Sequence, residues 1–431
     1  MSRKIHIDSV SQEIREQMIE DLKITIEGSS FLYNAPPKYI YPIDVGDEYA
    51  YIPFAYGFSC VGGPFLCPER SSYPFIKCKF DGSLRDEQKM IKKEAIEHLN
   101  KYGSTIISAF PGAGKTCMSI YISTKIKLKT MIVTHRIVLI KQWQEALKKF
   151  CPTSTVQVLT PKCVMKDCDY YIMNALNVQK NTAEYYKNIG FLIVDEVHLI
   201  MAEGLSKCMQ RLLPRYVLGL SATPYREDGL NMLLDLYFGE RKINRKLFRK
   251  HIVYKINTKF TPTVELAKNG RVNWGVILDS QSNDVNRNEM IIRLVKMFKE
   301  RVFLILCKRV NQGQYLVKRL RDEGEDVTSL IGKQQEYEHK SRILVGTASK
   351  TGTGFDHPRL DAMIIGSDIQ AYWIQYLGRV LRTEEVVPII FDIVDKNPIL
   401  EKHFKVRKAI YLEHGGSVSD MSKDFPSFQV C

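Results

Sequence analysis

The sequence predicts an α/β protein with two tandem parallel-sheet units and a small α+β module at its amino-terminal end. Short apolar runs alternate with helical stretches, and this alternation occurs twice along the 431 residues. A strand that is followed by a helix and a further strand is typical of a parallel sheet covered by helices. A chain of this length is also too long for one ordinary core. We expect the module at 1–80, the two units at 81–250 and 251–415, and a loose tail at 416–431.

The amino-terminal module carries no motif that indicates a chemical role. Residues 12–22 have the spacing of an amphipathic helix, and residues 24–26 and 49–53 alternate as strands do. Segments rich in proline, glycine and aromatic residues lie at 35–42 and 57–74. We therefore expect a small fold of mixed helices and strands, without an assigned function.

A glycine-rich loop follows the first predicted strand of the first unit. The loop reads Ala-Phe-Pro-Gly-Ala-Gly-Lys-Thr from residue 109 to residue 116. Gly112 and Gly114 allow backbone amides to curl around phosphates without side chains in the way. Lys115 would contact the β- and γ-phosphates of a nucleotide, and the Thr116 hydroxyl would ligate Mg²⁺. An ordinary glycine-rich turn is the alternative, but the helical stretch that follows favours a phosphate loop.

An acidic pair follows a second apolar run, at residues 191–194. Asp195 at the end of this strand could hold Mg²⁺ through water, and Glu196 could orient and deprotonate the attacking water. Most acidic pairs after a strand are simply solvated. Val197 and His198 complete the sequence Asp-Glu-Val-His, which together with the phosphate loop predicts a centre that hydrolyses a nucleotide with Mg²⁺.

These motifs, with further elements in the same order, resemble those of the superfamily 2 helicases and translocases over about residues 84–382. The resemblance implies two RecA-like domains that share one ATP. It implies that Arg85 and Gln88, just before the phosphate loop, recognise adenine, although Arg85 by itself also fits the charged start of a helix. It further implies that His135 and Arg136, after a short apolar strand, contact the nucleic-acid backbone.

The helix predicted after Arg136 contains a tryptophan. Trp143 recurs with Ile140, Leu147 and Phe150 at helical spacing. We therefore predict that Trp143 packs in the core rather than stacking on a nucleic-acid base.

The tetrapeptide Ser221-Ala222-Thr223-Pro224 follows an apolar strand at 217–220. It resembles the family element that links hydrolysis to movement, and the resemblance makes His198, Ser221 and Thr223 the coupling residues. An ordinary connection between a strand and a turn would also suit this tetrapeptide. The triplet Arg226-Glu227-Asp228 resembles a charged triplet of the XPB-type helicases.

Two apolar strands of the second unit precede polar loops. By resemblance, Arg309 after the first of these strands and Thr347 after the second contact the bound nucleic acid. A later Gly-x-Asp, formed by Gly354 and Asp356, would approach the ribose of the nucleotide.

Residues 375–382 read Gln-Tyr-Leu-Gly-Arg-Val-Leu-Arg and match the family pattern Gln-x-x-Gly-Arg-x-x-Arg. Helical spacing predicts that Gln375, Arg379 and Arg382 share one face of a helix. Two arginines on one face are usually a solvated surface. The resemblance instead implies that these side chains reach the γ-phosphate when the two domains close and stabilise the transition state.

Composition and charge restrict the partners. The chain has 62 Lys and Arg against 48 Asp and Glu, a formal net charge of +14, which favours a polyanionic partner whose binding weakens with salt. No stretch approaches the roughly 18 apolar residues that span a bilayer, so we expect no membrane association and a soluble protein of the cytoplasm, the nucleus or a virion. The ten cysteines lack the Cys-x-x-Cys pairs of a zinc ribbon, which favours free thiols.

The leading hypothesis is an ATP-dependent helicase or translocase that acts on DNA, with transcription or repair proteins as partners. The chain is similar to the compact helicases of large DNA viruses, including the poxvirus transcript-release type, near the XPB-type branch. An RNA helicase would use the same motor and is the first alternative. The others are the motor subunit of a nuclease or restriction system and a clamp that binds nucleic acid without turnover, although a degenerate motor normally loses a catalytic residue.

Overall fold

The chain forms two compact units, Met1–Arg245 and Lys246–Cys431. The computed structural model describes residues 1–25, 39–60, 69–201, 209–222, 231–334, 336–351, 357, 359–370, 373–382 and 386–430. Within these residues, each unit contains one seven-stranded parallel sheet with helices packed against it. The α/β class and the two parallel sheets predicted from the alternating pattern are therefore confirmed.

The first unit contains both antiparallel and parallel strands. Its strands are β1 (Ser2–His6), β2 (Ile24–Thr25), β3 (Tyr39–Ile40), β4 (Asp44–Val45), β5 (Tyr49–Pro53), β6 (Ser104–Ala109), β7 (Thr130–Thr134), β8 (Val156–Leu159), β9 (Tyr170–Asn174), β10 (Phe191–Asp195), β11 (Tyr216–Ser221) and β12 (Lys242–Arg245). Its helices are α1 (Gln12–Asp21), α2 (Phe54–Cys60), α3 (Asp86–Tyr102), α4 (Lys115–Ile126), α5 (Ile137–Phe150), α6 (Ala175–Val178), α7 (Val197–Ile200) and α8 (Asn231–Phe238).

The amino-terminal segment forms a small antiparallel sheet in the order β1-β5-β4, next to helix α1. The Ser11 hydroxyl caps α1 by accepting a hydrogen bond from the backbone amide three residues later. The buried side chains of Ile5 and Ile52 belong to the same hydrophobic cluster as Met131 of β7. The predicted helix and the predicted strand at 49–53 are thus present, and the segment shares its core with the parallel sheet.

The parallel sheet of the first unit has the strand order β12-β6-β11-β10-β7-β9-β8. Strands β6, β7 and β11 are buried along their whole length, which explains their continuous apolar sequences. Helices connect successive strands, so the carboxyl ends of β6, β11, β10 and β7 meet at one edge of the sheet. Polar residues that follow these four strands are therefore brought close together.

The second unit repeats this architecture. Its strands are β13 (His251–Asn257), β14 (Phe303–Cys307), β15 (Val327–Leu330), β16 (Ile343–Thr347), β17 (Ala362–Ile365), β18 (Ile389–Val394) and β19 (Gly416–Asp420). Its helices are α9 (Trp274–Asn283), α10 (Val285–Met297), α11 (Val310–Asp322), α12 (Ala348–Thr351), α13 (Trp373–Val380), α14 (Pro398–Glu413) and α15 (Met421–Asp424). The strand order is β15-β16-β14-β17-β18-β13-β19. None of the helices described in the two units is long and apolar enough to cross a bilayer.

The loose tail predicted at 416–431 is wrong for most of its length. Residues 416–420 form β19, which pairs in parallel with β13 at the edge of the second sheet. The side chain of Met421 is fully buried, and the ring of Phe425 lies 5.4 Å from that of Tyr254. The segment is polar because it forms an edge strand that stays partly exposed, and a polar composition is also typical of a loose tail.

Buried ion pairs hold helices of the second unit against its sheet. Arg287 of α10 has no solvent exposure and donates to both carboxylate oxygens of Asp395, at 3.0 and 3.1 Å. Arg407 of α14 donates to Asp392 at 2.8 and 2.7 Å and to Asp368 at 2.9 Å. These pairs fix the carboxyl ends of β17 and β18, and β17 pairs with β14, the strand that precedes Arg309.

Candidate nucleotide and nucleic-acid sites

The candidate phosphate loop has the backbone that its glycines predict. Gly112 and Gly114 have φ angles of +94° and +83°, in the left-handed region that favours glycine. Helix α4 begins at Lys115, directly after the loop, so its first amides face the concave side. A Cβ atom at Gly114 would lie 2.3 Å from Nε2 of Gln88. Glycine at this position therefore lets the loop pack closely against Gln88 and adopt its left-handed backbone.

The amine of Lys115 lies within the curl of this loop. Its Nζ atom donates to the carbonyl oxygen of Ala109 at 2.6 Å and approaches that of Phe110 at 3.4 Å. The charge that would meet a phosphate is thus already positioned by the loop backbone. Thr116, the candidate Mg²⁺ ligand, is the second residue of α4 and is partly exposed.

Arg85 and Gln88, the candidate adenine contacts, both attach the start of α3 to the phosphate loop. Gln88 accepts from the backbone amide of Arg85 at 2.9 Å and donates to the carbonyl oxygen of Ala113 at 2.9 Å. The Arg85 guanidinium donates to the carbonyls of Gly112 and Ala113, at 3.2 and 3.1 Å. These contacts with the back of the loop were not predicted from the sequence.

The carboxylate of Asp195 is held through both of its oxygen atoms. Oδ1 accepts from the backbone amide of Glu196 at 3.0 Å, and Oδ2 accepts from the indole Nε1 of Trp143 at 2.8 Å. Burial and the adjacent charge of Glu196 raise the pKa of Asp195 to about 6. A buried carboxylate of this kind, next to a second carboxylate, is suited to a divalent cation.

Glu196 has a strained backbone. Its φ and ψ angles, +50° and +52°, are left-handed, which is uncommon for a residue other than glycine. Strain of this kind concentrates at functional sites, where the surrounding structure maintains it. Here it falls on the residue immediately after the last residue of β10.

The candidate coupling residues His198 and Ser221 are in contact. The Nδ1 atom of His198 lies 2.8 Å from the Ser221 hydroxyl and 3.6 Å from Oε2 of Glu196. The chain of contacts thus runs from the end of β11 to the candidate general base. Thr223, the third candidate, lies outside the described residues, as does the triplet at 226–228.

The candidate nucleic-acid contacts of the first unit follow β7. His135 is half-buried, and burial together with the charge of Arg136 lowers its pKa to about 4. Arg136 is the residue that precedes the first turn of α5. The two residues thus lie at the carboxyl edge of the sheet, beside the strand that carries Asp195.

The candidate nucleic-acid contacts of the second unit lie at the carboxyl ends of two neighbouring strands: Arg309 follows β14, and Thr347 is the last residue of β16. Arg309 is paired within its own unit: its Nε atom lies 2.7 Å from Asp279, and its guanidinium donates to the Gly275 carbonyl at 3.1 Å. Thr347 is buried, with its hydroxyl 3.5 Å from that of Ser349. Gly354 and Asp356, the candidate ribose contacts, lie outside the described residues.

The expected single helical face of Gln375, Arg379 and Arg382 stays a prediction. Helix α13 ends at Val380, so Arg382 lies in the turn beyond it, where its Nε atom donates to the Gly378 carbonyl at 3.2 Å. Gln375 is buried, and its side-chain amide has no hydrogen-bond partner among the residues that the structure describes. Arg379 is partly exposed on the same helix.

Trp143 is the site residue that the sequence did not reveal. It is buried in the core as predicted, but its indole N–H also bonds Asp195. A buried tryptophan usually finds a partner for this N–H group, which was the available signal. The partner itself could not be named, because it lies on strand β10, 52 residues farther along the chain.

The chain is similar to several helicases. Residues 81–226 match the family model of the type III restriction enzyme, res subunit. The putative helicase 161L of Invertebrate iridescent virus 6 is 36% identical over 447 residues, which cover 97% of this chain and 99% of that protein. The putative ATP-dependent RNA helicase L396 of Acanthamoeba polyphaga mimivirus is 27% identical over 443 residues, 91% of this chain and 81% of that protein.

More distant proteins share the same fold. The DNA 3'-5' translocase XPB2 of Sulfurisphaera tokodaii is 24% identical over 379 residues, 75% of this chain and 84% of that protein. The structure of S. cerevisiae Dbp5 bound to RNA and ADP BeF3 matches with a TM-score of 0.54 at 15% identity, over 78% of this chain and 91% of that chain. The two parallel sheets are thus tandem RecA-like domains, and the chain belongs to the superfamily 2 helicases, which hydrolyse ATP.

Proposed function

We propose that the protein is an ATP-dependent translocase or helicase that acts on DNA, in transcription or repair. The observation that carries this proposal is the arrangement at the carboxyl edge of the first sheet. There the phosphate loop follows β6, Asp195 ends β10, and Ser221 ends β11, the strand between them, while His198 joins Glu196 to Ser221. We thus assign phosphate binding, metal binding, proton transfer and coupling to residues at the carboxyl ends of three adjacent strands, β6, β11 and β10.

The first unit would bind the nucleotide and prepare the attacking water. The loop amides and Lys115 hold the β- and γ-phosphates, while Thr116 and Asp195 supply the oxygen atoms that Mg²⁺ prefers. Bound Mg²⁺ would neutralise the charge that develops on the transferred phosphoryl group. Glu196 orients the water that attacks the γ-phosphate and takes its proton.

The second unit would complete the centre only when it closes on the first. Arg379 and Arg382 then contact the γ-phosphate, and such an arginine accelerates hydrolysis by about 10³- to 10⁵-fold. Gln375, whose buried amide has unused hydrogen-bonding capacity among the described residues, supports the same role. Gly354 and Asp356 would contact the ribose, and Arg85 and Gln88 would contact the adenine from behind the loop.

Hydrolysis would be coupled to movement through the hydroxyl groups that follow β11. Loss of the γ-phosphate changes the contacts of Glu196, and His198 passes this change to Ser221 and, in our proposal, to Thr223. His135 and Arg136 in the first unit, and Arg309 and Thr347 in the second, would hold the nucleic-acid backbone. Cycles of closing and opening then change the distance between the two sets of contacts, which moves the protein along the strand.

DNA is favoured over RNA by the XPB-type features of the sequence and by the similarity to a DNA translocase. RNA is the second candidate, because a relative of higher identity is named as an RNA helicase. The net charge of +14 suits either polyanion. The motor residues would act in the same way on DNA and on RNA, so an experiment has to distinguish these two substrates.

An ATPase assay with three cofactors of equal length tests the proposal: single-stranded DNA, duplex DNA and RNA. We expect DNA to stimulate hydrolysis, and we expect Lys115→Ala to abolish it with every cofactor. Stimulation by RNA alone would overturn the choice of DNA. Turnover by Lys115→Ala at the wild-type rate would overturn the ATP site, and an absence of turnover in the wild-type protein would favour the non-catalytic clamp.

A further inference from the structure

Trp143 joins the candidate metal-binding carboxylate to a long helix. Its side chain is 1% exposed on α5, between the buried residues Leu139 and Leu147. Its Nε1 donates to Oδ2 of Asp195 at 2.8 Å, across to strand β10. A hydrogen bond from a buried donor to a charged acceptor is among the stronger side-chain contacts, and it fixes the orientation of both groups.

The other oxygen of Asp195 is fixed independently. Oδ1 accepts from the amide of Glu196 at 3.0 Å, and this contact is part of the strained turn after β10. A carboxylate has about four lone-pair positions, so two remain for water or a cation. With only the Glu196 amide as a partner, the carboxylate could rotate about its side-chain torsions. The indole N–H is the contact that removes this freedom.

We propose that Trp143 is a positioning residue that fixes the Asp195 carboxylate in the orientation that binds a divalent cation. The inference rests on the proposed function, because it takes Asp195 as a carboxylate that holds Mg²⁺. Groups that hydrogen-bond to a metal-binding carboxylate orient it and tune its affinity for the metal. Trp143 itself contacts neither the nucleotide nor the metal in this proposal.

Helix α5 also connects Trp143 to a candidate nucleic-acid contact, Arg136. Helix α5 starts at Ile137, directly after Arg136, and Trp143 lies seven residues later, about 10 Å along the helix axis. A continuous helix therefore connects the candidate nucleic-acid contact to the orientation of Asp195. The metal site and the strand-binding site share one rigid element.

Trp143→Phe is the first variant for the test, because phenylalanine fills most of the pocket but donates no hydrogen bond. Mn²⁺ is the probe, and its binding to the protein with ADP is measured by electron paramagnetic resonance. We expect Mn²⁺ affinity to fall about 10- to 100-fold, the range for lost partners of metal ligands. The affinity for ADP without metal should stay at the wild-type value.

A second variant separates the N–H group from packing. Benzothienylalanine at position 143 keeps the size and shape of the indole but replaces N–H by sulfur, so it also serves if Trp143→Phe fails to fold. We expect it to weaken Mn²⁺ binding as much as phenylalanine does. Wild-type Mn²⁺ affinity with this isostere would overturn the proposal, since packing alone would then explain the residue.

Two controls complete the experiment. Tyr170→Phe removes another buried polar group, the Tyr170 hydroxyl at the amino end of β9, which lies 2.7 Å from the Ser123 hydroxyl. This variant should leave Mn²⁺ affinity unchanged. Asp195→Asn should weaken Mn²⁺ binding at least as much as the Trp143 variants do. Wild-type Mn²⁺ affinity in Asp195→Asn would contradict the proposed metal site itself. Wild-type Mn²⁺ affinity in the Trp143 variants, with weakened binding in Asp195→Asn, would contradict only the role proposed for Trp143.

Discussion

At the residue scale, the candidate ATP site depends on backbone conformations that few residues adopt. Gly112 and Gly114 are left-handed in the phosphate loop, and so is Glu196 in the turn after β10. Glycine adopts the left-handed conformation with little loss of free energy. For Glu196 the same conformation costs about 1–2 kcal/mol of conformational free energy. The glycine positions could be predicted from the sequence, because the motif specifies them. The strain at Glu196 could not, because it arises from the tertiary structure.

Gly114→Ala tests the loop directly. The new methyl carbon would lie 2.3 Å from Nε2 of Gln88, at a residue with φ of +83°. We expect the free energy of unfolding to fall by about 1–2 kcal/mol from the left-handed backbone alone. ATP affinity should fall by about tenfold or more, because the amides of the loop no longer converge on a phosphate. Isothermal titration with an ATP analogue measures the second effect.

Gly324→Ala is the matched control. Gly324 has a φ of +79°, but a Cβ atom there would meet nothing within 4 Å. This variant should lose comparable stability and bind ATP as the wild type does. Equal ATP affinity in the two variants would contradict the assignment of the loop.

At the element scale, the sequence predicted buried elements well and exposed elements poorly. Strands β6, β10 and β11 were predicted to within one residue, because a parallel strand buried on both faces is apolar throughout. Strand β19, with the polar sequence Gly-Ser-Val-Ser-Asp, was missed.

Met421→Ala tests whether the carboxyl-terminal segment belongs to the second unit. Met421 is fully buried in the core of this unit, so its truncation should lower the free energy of unfolding by about 2–5 kcal/mol. Met297→Ala, at a residue that is 41% exposed, should have a much smaller effect. Chemical denaturation of both variants measures these free energies. An unchanged free energy of unfolding in Met421→Ala would instead support a loose carboxyl-terminal tail.

At the scale of the whole molecule, two RecA-like units each carry candidate nucleic-acid contacts on a basic chain. The duplication, the phosphate loop and the acidic pair could be predicted, because each depends on short local patterns. The pairing of Arg309 with Asp279 and the bond from Trp143 to Asp195 could not, because their partners come from other elements. Function was thus more predictable than the contacts that support it.

The dependence of DNA binding on salt tests the contact assigned to Arg136. Each phosphate contact on a single strand contributes about 0.7 to the slope of log K against log salt concentration. We expect Arg136→Gln to weaken binding and to reduce this slope by roughly 0.7. Fluorescence anisotropy at several salt concentrations measures the slope. Arg293→Gln, which changes an exposed residue of α10, should leave it unchanged, and an unchanged slope for Arg136→Gln would remove that residue from the interface.

The rate of ATP hydrolysis by Arg382→Ala, measured together with its ATP affinity, tests the proposed motor most directly. The account predicts that ATP binds as it does to the wild type, because the first unit holds the phosphates. It also predicts that DNA-stimulated hydrolysis falls by about 10³-fold or more, because the transition state loses a guanidinium group from the second unit. Hydrolysis by this variant at the wild-type rate would contradict the proposal that the two units share one ATP.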